Sequence, residues 1–274
     1  MNRYEQVFSE LRKKNETAFI PFAVAGDPDI AVSEAILKAY IDGGADILEI
    51  GYPFSDPIAD GPVNQHGAQR AIAAGLTPSS FFKLIQKIRA YREDIPIGLL
   101  LYANTVHHLG YQKFCTAAAN AGIDSLLIAD MPPEEYDIVR KEMNTAGLSR
   151  VFIVSELTPE KRMKMICDNI DAFVYVVSRL GTTGTGNTLS SSIVNTLTRL
   201  KKVTDKPLAV GFGISTPEHV REVTAAGADG VIVGSALVKI VEQHIGKSGS
   251  LPAALKMAVH RYKTATRIVS NRSS

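Results

Sequence analysis

The chain has 274 residues, 45% apolar and 21% charged, with a formal net charge of +2, the profile of an ordinary globular protein with ample core. Near-neutral charge without a long basic run excludes a nucleic-acid surface of the usual kind. No apolar run reaches spanning length and the N-terminus lacks an apolar signal core, so the expected location is cytoplasmic.

An opening helix is predicted over Tyr4–Lys13. Strand candidates then fall around 19–25, 46–51, 96–102, 125–129, 151–155, 173–178, 207–212 and 230–234. Amphipathic segments separate them: Asp29–Ile41, Ser79–Tyr91, Pro133–Thr145, Pro159–Cys167 and Pro217–Ala226. One punctuation recurs, a helix-ending Gly, a small residue or Ile, then Asp: Gly44-Ala45-Asp46, Gly122-Ile123-Asp124 and Gly227-Ala228-Asp229, with Asn169-Ile170-Asp171 looser. Gly ends each helix because it takes the left-handed cap at little cost. A short extra helix, Leu237–His244, follows the eighth strand, and the mildly basic stretch Lys256–Arg272 reads as a surface helix before a polar tail at about 268–274. The two cysteines, Cys115 and Cys167, form no metal or redox motif and read as buried thiols in a reducing compartment.

Eight alternating β and α units in this length predict an α/β fold, a single (β/α)8 TIM barrel over 1–274 with an extra N-terminal helix. A doubly wound open sheet is the alternative, and it fits less well. The first strand is followed by Ala25-Gly26-Asp27-Pro28 rather than by Gly-x-Gly-x-x-Gly.

Glu49 is the most informative residue. It interrupts the apolar run Ile47-Leu48-Glu49-Ile50-Gly51, and a carboxylate taken from water must be paired, neutral or in use. Asp60 follows after a proline-stiffened connection, Pro53-Phe54-Ser55-Asp56-Pro57. Two acids in different environments are the material of acid–base chemistry near neutral pH. The plainer alternatives are a salt-bridged Glu at a strand end and ordinary turn chemistry at Asp60 before Gly61-Pro62. Both residues lie at C-terminal strand ends, where barrel enzymes keep their chemistry.

The last two strands end in Gly211-Phe212-Gly213-Ile214-Ser215 and Gly234-Ser235-Ala236. Glycines there let backbone amides approach an anion, and a short helix N-terminus adds orphan N–H groups, so a phosphate site is expected. After the sixth strand, Gly181-Thr182-Thr183-Gly184-Thr185-Gly186 resembles a closing lid or a plain connection. A Schiff-base mechanism needs a lysine inside the barrel, and no predicted strand core carries one. The six histidines are scattered rather than convergent, so no metal site is expected. General acid–base chemistry on a phosphorylated substrate remains, with isomerases and synthases of similar phosphates as rivals.

These residues, in order, resemble the α-subunit family of tryptophan synthase. The resemblance rests on Phe22, Ala25-Gly26-Asp27-Pro28, Glu49, the specific block Pro53-Phe54-Ser55-Asp56-Pro57 with Ala59-Asp60-Gly61-Pro62, Leu100, Tyr102-Ala103-Asn104, Asp130, Pro132, Ser178-Arg179, Thr183-Gly184, Gly211–Ser215 and Val233-Gly234-Ser235. It runs from about residue 4 to 246, weakening beyond. It implies cleavage of indole-3-glycerol phosphate to indole and glyceraldehyde 3-phosphate without a cofactor on this chain. Glu49 would be the general acid–base and Asp60 the acceptor of the indole N–H. Phe22, Leu100 and Tyr175 would grip the indole; Gly184, Phe212, Gly213, Gly234 and Ser235 would cradle the phosphate; and Thr183 would reach Asp60 from the lid. An α2β2 heterotetramer is implied, its β subunit carrying pyridoxal phosphate and meeting Pro53, Asp56, Pro57, Asn104, Asp130 and Pro132.

Two stretches depart from the family pattern. Thr-Ile-Gln after Pro62 is here Val63-Asn64-Gln65, and the lid carries Leu180 and Thr182. A free-standing lyase and a non-catalytic activating subunit are the alternatives. The Asp56 and Asn104 contact motifs argue against the first, and the intact acid pair against the second.

Overall fold

The computed structural model describes residues 2–177, 191–247 and 249–267. The predicted lid residues, among them Thr183 and Gly184, and the tail 268–274 lie outside them.

Helix α1 (Arg3–Lys13) starts in a capping box, the Asn2 side chain accepting from the Glu5 amide and Glu5 from the Asn2 amide. Then follow β1 (Ala18–Val24), α2 (Ile30–Gly43), β2 (Leu48–Gly51), α3 (Pro62–Ala73), α4 (Pro78–Tyr91), β3 (Ile97–Leu101), α5 (Ala103–Leu109), α6 (Tyr111–Ala121) and β4 (Ser125–Ile128). The second half continues with α7 (Asp137–Ala146), β5 (Ser149–Arg150), β6 (Phe152–Ser155), α8 (Glu160–Asp168), β7 (Val174–Val177), α9 (Ser191–Lys201), β8 (Leu208–Gly211), α10 (Pro217–Ala225), β9 (Gly230–Val233), α11 (Ser235–Gln243) and α12 (Leu251–Ala265). All strand pairings are parallel, in the order β5-β4-β3-β2-β1-β9-β8-β7-β6. β5 and β6 are one strand position interrupted at Val151, whose amide donates to the Leu126 carbonyl. β5 pairs with β4 and β6 with β7, so that segment joins the two edges and the eight predicted positions close into a barrel.

The recurring Asp has a structural task. The carboxylates of Asp46, Asp124, Asp171 and Asp229 accept from the backbone amides of Phe19, Ile97, Arg150 and Leu208, respectively. Each stitches the start of a strand position to its neighbour, satisfying an amide that the staggered parallel register would leave bare.

Side chains sort by the two-residue strand period. Leu48, Ile50, Leu99, Leu101, Val174, Val176, Val231 and Val233 pack outward against the helices. Ile20, Ile47, Leu127, Val151, Phe173, Tyr175 and Ile232 fill the interior. α1 plugs the N-terminal end, with the Tyr4 and Phe8 rings 5.6 and 6.3 Å from that of Phe173. Among the described residues the interior is filled below and opens above. No described helix is long and apolar enough to cross a membrane.

The predicted boundaries hold within about two residues for most elements, but four helices were not delineated in the sequence: α3, α5, α6 and α9. α3 carries Asn64, Gln65, His66 and Arg70 around a narrow small-residue face of Gly67, Ala68 and Ala71, which lacks the broad apolar stripe of a recognisable helix.

Gly43 and Gly44 end α2 where it lies against α12. Gly44 is left-handed at φ 102°, and a Cβ on Gly43 would sit 2.7 Å from the Val259 Cβ and 2.8 Å from the Lys256 carbonyl. Gly43→Ala is expected to lower stability by about 1–3 kcal/mol through overpacking, read as a lower urea midpoint; an unchanged midpoint would show that the helices separate freely.

Candidate active site

Glu49 lies in β2 opposite Phe22 of β1 and Gly98 of β3. Its neighbours Leu48 and Ile50 face the helices, so the strand period turns Glu49 into the barrel, where it is 5% exposed. Burial, and secondarily the negative charge of Asp60, push its carboxyl up to about 8. At neutral pH it is therefore an acid holding its proton.

Asp60 ends the loop joining β2 to α3. Tyr102, just past β3, donates its hydroxyl to Asp60 Oδ2 at 2.7 Å and accepts from the Ala59 amide at 3.1 Å. Its ring stacks on Phe54 at 5.2 Å. Asn64 Nδ2 lies 3.4 Å from Asp60 Oδ1, and Gln65 Nε2 donates to the Asp60 carbonyl at 2.9 Å. The proline-rich connection is thus a shaped loop clasped from β3 and α3.

Both acids line one cavity of about 320 Å³ at the C-terminal end of the barrel. Phe22, Leu100 and Tyr175 line it as expected, joined by Ala129, Ile153, Val177, Ile214 and Ile232. Burial, then Glu49, then Asp60, raises the Tyr175 hydroxyl well above its ordinary value, so it stays protonated. The walls are apolar and the polar groups few, the composition of a site for a flat ring with one or two fixed contacts.

Phe212, Gly213, Gly234 and Ser235 form the far side of the same cavity. Phe212 and Gly213 are both left-handed, at φ 78° and 76°, an uncommon conformation for Phe and a sign of functional backbone strain. The loop is anchored from below, the Tyr262 hydroxyl donating to the Ser215 carbonyl at 2.7 Å. Gly234 caps α11, whose first amides have no intrahelical acceptor. No lysine or arginine is among the described lining residues, so an anion here would be held by amides and the helix dipole. α11 is tied to α3 by Arg70, which chelates the nearly buried Asp27 at 2.7 and 2.9 Å and reaches Glu242 at 3.3 Å. The helix following Asp60 and the helix opening the anion end therefore share one ion-pair network.

Of the expected partner-contact residues, Asp56, Asn104 and Asp130 are exposed and Pro57 and Pro132 half-buried. Pro53 is buried. Asp130 Oδ1 accepts from the Ala103 amide at 2.7 Å, fixing the start of α5 beside Asn104. Ile58, 82% exposed, stands two residues from Asp56. Sequence reasoning did not assign Tyr102 or Asn64 to the site. Tyr102 is the last residue of the predicted strand 96–102, one past observed β3, on the chemistry-bearing end, which is a usable signal; Asn64 gives none until α3 is placed.

The described histidines and acids form no group spaced to hold a metal. No described strand carries a lysine, and Arg150 of β5 pairs with Asp171.

The family model for the tryptophan synthase alpha chain matches residues 8–267, past the Gly246 at which the likeness was expected to fade. The chain is 47% identical over 262 residues to the tryptophan synthase alpha chain of Methanoregula boonei, covering 96% of each. It is 42% identical over 267 residues to that of an Escherichia coli strain, covering 97% of this chain and all of the relative. The fold superposes on a crystal structure of tryptophan synthase subunit alpha from Legionella pneumophila with TM-score 0.89 at 30% identity, covering 97% and 98% of the two chains.

Proposed function

We propose that the chain, which belongs to the tryptophan synthase alpha chain family and is the lyase subunit of that synthase, uses Glu49 and Asp60 to cleave indole-3-glycerol phosphate. The products are indole and glyceraldehyde 3-phosphate. The carrying observation is a buried carboxyl raised to about 8 facing the same apolar cavity as a clasped second carboxylate.

The ring lies among Phe22, Leu100 and Tyr175, its N–H donated to Asp60, while the phosphate takes the amides at Gly213, Gly234 and Ser235. Phe212 borders the same end of the cavity. Glu49 gives its proton to ring carbon C3, and the positive charge that develops on the ring nitrogen is met by Asp60. The Glu49 carboxylate then removes the proton from the hydroxyl on the carbon attached to C3. The C–C bond breaks, its electron pair restoring the aromatic ring as the hydroxyl oxygen becomes an aldehyde carbonyl. Glu49 ends protonated as it began, so one residue serves as acid and base and the sum needs no cofactor.

Indole then passes to a β subunit in an α2β2 complex, and pyridoxal phosphate belongs to that partner. Exposed Asp56, Ile58, Asn104 and Asp130 at the mouth of the barrel support a contact there. The chain acts as one cytoplasmic catalytic unit.

Indole release from indole-3-glycerol phosphate by the isolated chain tests the proposal, with a sizing column run beside a tryptophan synthase β subunit. Slow release that rises severalfold with β, and co-elution, are expected. No release in either condition would refute the reaction, and release without co-elution would leave a free-standing lyase.

A further inference from the structure

Asn64, in the first turn of α3, lines the cavity beside Asp60. Its Nδ2 is 3.4 Å from Asp60 Oδ1, while its own Oδ1 is buried and has no hydrogen-bond partner among the described residues. Turned the other way, the amide would set an oxygen against a carboxylate oxygen, so the contact with Asp60 sets its orientation. Buried polar atoms are almost always satisfied, and an orphan kept beside a reactive carboxylate points to a function for the other end of the amide. Tyr102 already occupies Asp60 Oδ2 at 2.7 Å. Among the described residues, Asn64 is the side chain that reaches Oδ1.

We propose that Asn64 is a positioning residue for Asp60: with Tyr102 it gives each carboxylate oxygen one uncharged donor, so that the acceptor of the ring N–H is held in place without losing its charge. The inference rests on the reading of Asp60 above. A lysine or arginine at this position would also hold Asp60 but would neutralise the charge that the cationic ring needs.

Stability and rate should move in opposite directions when the amide is removed. Asn64→Leu deletes the donor together with the orphan acceptor, so the melting temperature is expected to stay level or rise, while kcat falls about tenfold and KM changes less than threefold. The preference for an unreactive phosphate-bearing indole analogue over its benzofuran counterpart, which lacks the N–H, should narrow about fivefold. Asn64→Asp, of the same shape, places a like charge beside Asp60, and the acid limb of the kcat/KM profile should move to higher pH. Parallel loss of melting temperature and kcat, an equal effect on both analogues, or an unmoved limb in Asn64→Asp would each overturn the proposal. Failure of the wild-type chain to release indole is a separate result, against the lyase reading itself.

Discussion

Glu49→Gln is expected to cut indole release by about a thousandfold or more while leaving the affinity for an unreactive indole phosphate analogue within about threefold. The amide preserves the shape and polarity of the side chain but can neither give nor take a proton, and positioned acid–base groups contribute about 10²–10⁴ in rate. Here one group is needed for two successive transfers, which places the loss at the upper end. A second signature follows from burial. The folded carboxyl is raised to about 8 from an ordinary 4.5, so the folded state holds its proton more tightly than the unfolded chain does. The favourable contribution of that proton is complete below about 4.5 and is lost as pH rises through about 8. Each unit of such a shift corresponds to about 1.36 kcal/mol, so the wild type should lose of order 4 kcal/mol across that window. Glu49→Gln loses none of it. Melting curves at pH 5 and pH 9 should show the variant gaining on the wild type as pH rises; undiminished turnover, or a difference independent of pH, would remove Glu49 from the mechanism.

The fold was legible because its signals are local. Each Gly-x-Asp unit marks a helix end and a strand start, and the carboxylates of Asp46, Asp124 and Asp229 bond backbone amides across neighbouring strands. Glu49 was legible for the opposite reason, as one charge in an apolar strand whose period turns it inward. What could not be read depends on side chains converging from distant elements. Tyr102 and Asp60 are 42 residues apart and meet only because β3 lies beside β2. Arg70 reaches across to Glu242 of α11, a contact 172 residues apart that no local pattern encodes. Pro53 shows the limit of a motif: the block Pro53-Phe54-Ser55-Asp56-Pro57 is plain in the sequence, yet that Pro53 is buried while Asp56 is exposed is settled only in the folded loop.

Asp60→Asn should report on the second acid by both rate and pH profile. Asparagine can still accept from Tyr102 and still fits the loop, but it carries no charge to oppose the cation forming on the ring. Removing one preorganised electrostatic contact of this kind costs about 10²–10³ in kcat. The same charge is the second cause, after burial, of the raised Glu49 carboxyl. Losing it lowers the Glu49 value, because a neighbouring negative charge no longer disfavours ionisation. The alkaline limb of kcat/KM, set in the wild type by Glu49 losing its acidic proton near 8, should therefore move to lower pH in Asp60→Asn. A purely structural Asp60 predicts a different pair of results, a higher KM with the limb in place. A limb that stays put while kcat collapses would mean that Asp60 meets the ring but does not act on Glu49. A limb that moves with kcat preserved would mean the reverse, and only the two changes together support the paired-acid mechanism.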